Sequence, residues 1–293
     1  MAESPEPPET AKGLPRAPWL LRVIAPVLIG TGALIQDMKV SGLENLPDDG
    51  GLIVVANHTA HLDFLSLGGP LYRAGRPPQF VAASEFFEMP IYGSVFPRVG
   101  AIPVYRESDD PAKVLDAARA ALDKNGTVIL FPEGTFGRDP EMWPMRGKTG
   151  AARLALSRPN VPVIPVAHWG NEHLYGPWDG KIAWSRLGRR RTKAETVFGA
   201  PIDMTRFEGR EVTKELLDEV TEVFMSAIED LLQGLRERNP LGMGTQPRER
   251  RWDIRVDGDP HAVGDHAHRE SRRKWLDRWA KIRRIFTPGR KKK

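Results

Sequence analysis

Residues 51–63 have the sequence Gly51-Leu52-Ile53-Val54-Val55-Ala56-Asn57-His58-Thr59-Ala60-His61-Leu62-Asp63. The first half is a continuous apolar run, which is typical of a strand buried in an α/β sheet. The second half places His58 and Asp63 five residues apart at the end of that strand. An imidazole beside a carboxylate commonly takes a proton from a hydroxyl near neutral pH. Five residues advance a helix by about 500°, so contact between the two requires a partly irregular turn.

Strand and helix patterns alternate on both sides of this stretch. The predicted strands are 52–56, 79–82, 101–105, 127–131 and 161–167, with a further short one at 196–198. The predicted helices are 62–72, 89–96, 111–124, 150–157 and 214–235. Alternation of this kind predicts an α/β fold with a mixed, mostly parallel sheet flanked by helices.

The composition divides the chain into five segments. Residues 1–14 are acidic and Pro-rich, which predicts disorder, and residues 38–236 hold the predicted catalytic domain. Residues 15–37 contain an apolar helix of about 25 Å, shorter than the hydrocarbon core of a bilayer, which predicts a helix in or against a membrane face. A buried core helix is the alternative. Residues 237–268 are predicted to be a linker, and residues 269–293 form a basic tail.

Charge and cysteine content limit the possible functions. The chain has no cysteine, which excludes disulfides, thiolate metal sites and cysteine nucleophiles. Residues 267–293 hold twelve basic and two acidic residues, a net charge of +10, which leaves −5 for the rest because the total is +5. The basicity therefore lies in the tail, and a general nucleic-acid-binding surface is not expected. The acidic N-terminus lacks the basic start of a signal peptide.

Polar motifs follow several of the predicted strands. Arg106 ends the strand Val99-Gly100-Ala101-Ile102-Pro103-Val104-Tyr105, and Glu133, Gly134 and Thr135 follow Phe131-Pro132. Arg146-Gly147-Lys148-Thr149-Gly150 is a basic loop before a helix, and Val161-Pro162-Val163-Ile164-Pro165-Val166 is a strand that contains proline. Ligands of open α/β sheets bind beyond the carboxyl ends of the strands, so these residues are expected at one crevice.

Taken together and in this order, the motifs resemble those of the glycerolipid acyltransferase family, which includes bacterial 1-acylglycerol-3-phosphate acyltransferases. The resemblance covers about residues 35–205 and implies a glycerol-3-phosphate acyltransferase-like fold. It implies that His58 is the general base and that Asp63 orients its imidazole. It also implies direct acyl transfer from acyl-CoA or acyl carrier protein to lysophosphatidic acid, which forms phosphatidic acid, without a further cofactor or a metal. Glycerol 3-phosphate or another lysophospholipid is the alternative acceptor.

The remaining substrate-binding residues are also assigned by this resemblance. Arg106 matches the phosphate-binding arginine of the family, and Glu133 and Gly134 match the pair that positions the acceptor, with Thr135 beside them. Phe136 stands where many members have arginine, so we assign Arg138 and Arg146 as candidates for that charge, and Lys148 of the basic loop as a further candidate.

Other interpretations remain open at this stage. Asp63 can simply cap a helix, Glu133 can close a turn, and a basic loop can be a solvated surface. His58, His61 and Asp63 together suggest a metallohydrolase, although their spacing matches no strong zinc signature. His168 and His173 are interpreted as ordinary loop residues.

The basic tail suggests a membrane partner. Trp275, Trp279, Ile282 and Phe286 recur at helical spacing with Arg and Lys between them, which is typical of an interfacial helix that binds anionic lipids. A non-catalytic membrane-tethering protein would need only this feature. We therefore expect a peripheral or monotopic protein at the cytoplasmic face of the membrane.

Overall fold

A mixed sheet of seven strands forms the centre of the protein in the computed structural model, which describes residues 13–105, 115–176, 178 and 191–261. The strands are β1 (Gln36–Ser41), β2 (Leu52–Ala56), β3 (Pro78–Ala83), β4 (Ile102–Val104), β5 (Thr127–Leu130), β6 (Val163–Trp169) and β7 (Thr192–Phe198). Their order is β1-β7-β6-β2-β5-β3-β4. All neighbours are parallel except β6 and β7, so β1 and β7 run opposite to the other five.

Helices cover both faces of this sheet. They are α1 (Trp19–Ile35), α2 (Asp63–Arg73), α3 (Tyr92–Val99), α4 (Asp116–Leu122), α5 (Gly150–Leu156), α6 (Lys214–Arg238) and α7 (Ile254–Asp257). Alternate residues of β2 point to opposite faces: Ile53 packs in the core under α4, α5 and α6, and Val54 packs in the core under α2. Burial on both faces explains why β2 is apolar throughout, and the predicted mostly parallel α/β sheet is confirmed.

Two parts of the sheet differ from the sequence prediction. Strand β1 was not predicted, because its mostly exposed residues carry no apolar pattern; it is defined by pairing with β7. Strand β6 continues two residues beyond the predicted end, and β7 begins four residues before the predicted start. These extensions pair with each other, His168 opposite Thr196 and Trp169 opposite Glu195.

Helix boundaries also shift for local reasons. A 3-10 turn at Ser84–Glu88 ends at Met89, which is extended before Pro90, so α3 begins only at Tyr92. Helix α6 begins after Thr213, whose hydroxyl accepts the backbone N–H of Leu216. The first residues of the predicted helix 111–124 lie outside the described residues, as do residues 1–12 and the tail 269–293. None of the helices described is both long and apolar enough to cross a membrane.

The segment after α6, predicted as a linker over 237–268, is described as far as residue 261 and lies against the domain. The indole N–H of Trp169 donates to the carbonyl of Asn239 over 2.8 Å, and Leu241 and Met243 pack beside Trp143. We call residues 239–261 the C-terminal strap.

Candidate active site

His58 and Asp63 meet at the carboxyl end of β2. His58 lies in the irregular turn after the strand, and Asp63 is the first residue of α2. The imidazole Nδ1 is 2.9 Å from Asp63 Oδ2. The second ring nitrogen, Nε2, has no hydrogen-bond partner among the described residues, and the His58 side chain is 21% exposed. Since Asp63 Oδ2 holds Nδ1–H, Nε2 is the nitrogen that can accept a proton from a ligand.

Asp63 is held as a buried carboxylate. It is 1% exposed, and Oδ2 also accepts the backbone N–H groups of Thr59 (2.8 Å) and Ala60 (3.0 Å). Burial opposes its ionisation, but the imidazoles of His168 and His58 and the N–H of Ala60 outweigh burial, so the pKa of Asp63 lies below its usual value. The carboxylate therefore stays charged when His58 takes up a proton.

His168 lies directly beside this pair, in β6 rather than in the loop that we predicted. Asn57 and His168 extend the β2–β6 pairing by two reciprocal bonds: Asn57 Nδ2 donates to the His168 carbonyl, and the His168 N–H donates to Asn57 Oδ1. His168 Nε2 is 2.7 Å from the Asn57 carbonyl, so this nitrogen carries the proton. Burial lowers the pKa of His168, and its Nδ1 lies 3.6 Å from Asp63 Oδ1.

Two aromatic rings enclose the imidazole of His58. Phe131 stacks on it with a centroid distance of 3.9 Å, and Phe136 lies at 4.0 Å in a tilted arrangement. Phe136 occupies the position where the sequence comparison led us to expect arginine. The two aromatic neighbours restrict the orientation of the imidazole ring.

Glu133 contacts the backbone of His58. Its Oε1 accepts the backbone N–H of His58 (3.0 Å), its Oε2 accepts that of Met145 (3.1 Å), and the residue is 2% exposed. The backbone of His58 is held on its other side by Gly137, whose N–H donates to the His58 carbonyl over 2.8 Å. Both carboxyl oxygens of Glu133 bind backbone N–H groups, so this side chain holds the backbone at His58 and at Met145.

Gly134, Thr135 and Lys148 line a cavity in front of His58. Gly134 has a positive φ of 71°, and a Cβ there would lie 2.9 Å from Lys148 Nζ, so only glycine fits without displacing that side chain. The backbone N–H of Lys148 donates to the Pro132 carbonyl over 2.8 Å, which joins the basic loop to the turn after β5.

Of the three predicted arginines, the structure describes Arg138 and Arg146. Arg106 lies outside the described residues. Arg138 is buried, with its guanidinium 3.7 Å from the ring centre of Trp178 and 2.5 Å from Asp259. Arg146 is exposed and pairs with Asp253 at 3.1 Å. Neither Arg138 nor Arg146 reaches the cavity, because carboxylates of the C-terminal strap hold both.

The cavity has a volume of about 890 Å³, and both basic and apolar side chains line it. The basic side chains include Lys148, Arg153 and Arg255. The apolar side chains come from β3, β4, β5 and neighbouring turns and include Phe80, Val81, Phe86, Val104, Leu115 and Leu130. His58 lies in the wall of the same cavity, so a ligand with an anionic group and an alkyl chain fits this arrangement.

Metal binding by His58, His61 and Asp63 was an open alternative. Within the described ranges, no group of three or more histidine, aspartate or glutamate side chains is arranged to hold a metal ion. His61 instead contacts the rings of Phe136 and Tyr175, at centroid distances of 4.8 and 4.6 Å.

Comparison with known proteins identifies the class of the domain. Residues 37–169 match the family model described as Acyltransferase. The 1-acyl-sn-glycerol-3-phosphate acyltransferase of Bacillus subtilis is 29% identical over 197 residues, which cover 66% of this chain and 87% of that protein. The chloroplastic 1-acyl-sn-glycerol-3-phosphate acyltransferase BAT2 of Brassica napus is 31% identical over 135 residues, which cover 45% of this chain and 37% of that protein.

A solved structure of a similarly named protein also resembles this chain. The crystal structure of the 1-acyl-sn-glycerophosphate acyltransferase PlsC from Thermotoga maritima superposes with a TM-score of 0.50 and 26% identity, over 71% of this chain and 79% of that one. Residues 37–169 therefore resemble an acyltransferase domain, which is the class that the sequence predicted. Several of the relatives are named as 1-acyl-sn-glycerol-3-phosphate acyltransferases, and the match to the Brassica napus protein spans little more than a third of that protein's length.

Two buried glutamates predict that the protein loses stability in mild alkali. Burial raises the pKa of Glu133 to about 8 and that of Glu172 to about 7. In the unfolded chain both ionise near 4.5, so between pH 7 and 9 the folded state binds more protons. The free energy of unfolding therefore falls as pH rises through this window, by on the order of 1 kcal/mol for Glu133.

Urea unfolding at pH 7 and pH 9 measures this decline. Glu133→Gln is expected to show a smaller decline than the wild type, and Glu208→Gln, on the exposed surface, is expected to match the wild type. A wild-type protein that is equally or more stable at pH 9 would contradict the assignment.

Proposed function

We propose that this protein transfers an acyl group from acyl-CoA, or from acyl carrier protein, to the free hydroxyl of 1-acylglycerol 3-phosphate and so forms phosphatidic acid. The observation that carries the proposal is the position of His58. Its Nε2 has no hydrogen-bond partner in the described part of the chain, and His58 lines a cavity that also has basic and apolar side chains in its wall. An acceptor with a phosphate, a hydroxyl and an acyl chain has the chemistry of that cavity, and the names of the relatives support the same substrate.

The proposed reaction needs one proton transfer in each direction. His58 Nε2 takes the proton of the acceptor hydroxyl as the oxygen attacks the thioester carbonyl. The tetrahedral intermediate collapses, the carbon–sulfur bond breaks, and the imidazolium returns its proton to the leaving thiolate. Asp63 keeps Nδ1–H in place and stabilises the imidazolium, which is the role of the carboxylate in a Ser-His-Asp triad. No cofactor beyond the acyl donor takes part.

A membrane location fits the surface of α1. Trp19, Val23, Val27 and Leu34 are each at least 59% exposed and lie along one side of this helix. Phe64, at the start of α2, is 42% exposed and also lines the cavity. These residues support binding to the cytoplasmic face of a membrane as a peripheral or monotopic protein. Co-sedimentation with phosphatidylglycerol vesicles tests this location. The wild type is expected to sediment with the vesicles, and a Val23→Asp, Val27→Asp double variant is expected to stay in solution.

An acceptor panel tests the proposed activity. The purified chain is expected to transfer palmitate from palmitoyl-CoA to 1-oleoylglycerol 3-phosphate at least tenfold faster than to glycerol 3-phosphate. Of these two acceptors, only 1-oleoylglycerol 3-phosphate has an acyl chain that can contact the apolar side chains of the cavity. Faster transfer to glycerol 3-phosphate or to lysophosphatidylcholine would identify the alternative acceptors. No transfer to any of these acceptors would contradict the proposal.

A chelator distinguishes the metallohydrolase alternative. Transfer is expected to continue unchanged in EDTA, because the proposed proton transfers use only His58 and Asp63. Activity that is lost in EDTA and restored by zinc would favour the alternative in which His58, His61 and Asp63 bind a metal.

A further inference from the structure

The C-terminal strap contributes to the wall of the substrate cavity. Arg255, in α7, lines the cavity together with Arg153 of α5 and Lys148. Lys148 and Arg153 belong to one loop and the helix that follows it, and Arg255 joins them only in the folded protein. The acidic side chains in the same wall are Asp63, which is engaged by His58 and backbone N–H groups, and Glu85. The cavity therefore has an excess of positive charge, which favours an anionic ligand.

Contacts on both sides hold Arg255 in this position. Before it, Arg251 pairs with Glu222 and Glu229 of α6, and the carbonyl of Trp252 accepts the backbone N–H of Arg146 over 2.9 Å. After it, Asp259 pairs with Arg138. The strap is thus fixed to the domain at several points, and these contacts hold α7 at the wall of the cavity.

Arg138 and Arg146 act on the site through the strap. The sequence suggested that one of them supplies the positive charge that Phe136 lacks. In the structure Arg146 pairs with Asp253, whose Oδ1 accepts the backbone N–H of Arg255 over 3.0 Å, so Arg146 helps to hold the turn that carries Arg255. Among the described residues, neither Arg153 nor Arg255 has a carboxylate within ion-pair distance, so no described carboxylate competes with a ligand for either guanidinium.

We propose that Arg255 binds a phosphate group of the substrate, with Arg153 and Lys148 completing the site. The inference rests on the proposed acyl transfer, because that reaction supplies the phosphate-bearing ligands. A guanidinium fork suits a phosphate, which it binds through two parallel hydrogen bonds. The same phosphate chemistry is present in the acceptor and in the 3′-phosphate of CoA, and the two sources are separable by experiment.

Steady-state kinetics of full-length Arg255→Gln test the proposal. The KM for one phosphate-bearing substrate is expected to rise about tenfold to a hundredfold with little change in kcat, because a charge-assisted hydrogen bond is lost on binding. Arg255→Lys is expected to fall between Arg255→Gln and the wild type, because it keeps the charge but not the fork. Arg206→Gln, an exposed arginine outside the cavity wall, is the matched control and is expected to match the wild type.

Separate KM measurements for the two substrates identify which of them carries the phosphate that Arg255 binds. If Arg255 binds the acceptor, the KM for 1-oleoylglycerol 3-phosphate rises and that for palmitoyl-CoA does not. If it binds the donor, palmitoyl-CoA shows the rise, and palmitoyl-3′-dephospho-CoA is used equally by Arg255→Gln and the wild type. Unchanged KM values for both substrates would overturn the inference while leaving the acyl transfer intact.

Binding without turnover separates this inference from the proposed function. Calorimetric titration of the wild type and Arg255→Gln with 1-oleoylglycerol 3-phosphate, and separately with CoA, is expected to show the same weakening for the same ligand. Equal affinities in the two proteins would overturn the role of Arg255, whether or not the wild type transfers acyl groups.

Discussion

Replacement of His58 by alanine is expected to lower kcat for acyl transfer by about 10³-fold or more, because the acceptor hydroxyl loses the group that takes its proton. His58→Asn is the sharper variant, since an amide can keep a hydrogen bond to Asp63 but offers no basic nitrogen to the cavity. Both variants are expected to remain folded, and near-ultraviolet circular dichroism would confirm that their aromatic packing is retained.

His61→Ala is the matched control for this substitution. His61 lines the same cavity and contacts Phe136, but Asp63 binds His58 Nδ1 instead. We expect its kcat to stay within about tenfold of the wild type, since no proton transfer passes through it. Comparable losses in both histidine variants would argue against a single general base and for joint action of the two imidazoles.

Asp63→Asn is expected to lower kcat by about 10²- to 10⁴-fold while leaving the fold in place. The amide oxygen can still accept the N–H groups of Thr59 and Ala60, and the amide nitrogen can face His168 Nδ1, so the only neutral hydrogen bond lost is the long one, 3.4 Å, that Asn171 Nδ2 donates to Asp63 Oδ1. What is lost is the negative charge that stabilises the imidazolium of His58. Thermal unfolding measured beside kcat separates the two effects.

Asp63→Ala provides the contrast. It leaves the N–H groups of Thr59 and Ala60 unpaired in a buried turn, which is expected to cost about 1–3 kcal/mol each in the free energy of unfolding. A value of kcat for Asp63→Asn within threefold of the wild type would show that the charge of Asp63 does not matter to the reaction.

The parts of the fold that the sequence predicted are those with local apolar signals. Strands β2, β5 and β6 are buried on both faces, so each contains a continuous apolar run of at least three residues. The site was predictable for the same reason, since His58 and Glu133 directly follow two of these strands. The five-residue spacing also predicted the irregular turn that joins His58 to Asp63.

The remaining parts depend on contacts between distant residues. His168 has no local signal, because its proximity to Asp63 arises only when β6 lies beside β2. The strap has the proline, glycine and charge content of a linker, and its order comes from ion pairs with residues more than twenty positions away, such as Arg251 with Glu229 and Arg138 with Asp259. The same ion pairs explain why Arg138 and Arg146, predicted from their charge, do not reach the cavity.

The central claim is direct acyl transfer with His58 as the general base, and product accounting during the first turnovers tests it most directly. Wild-type protein mixed with palmitoyl-CoA and 1-oleoylglycerol 3-phosphate in EDTA is predicted to release CoA and phosphatidic acid one for one. Intact-mass spectrometry is predicted to show no acylated protein. The His58→Asn variant is predicted to release neither product. Free palmitate in place of phosphatidic acid, a palmitoylated protein that precedes product, or full activity of His58→Asn would contradict the claim.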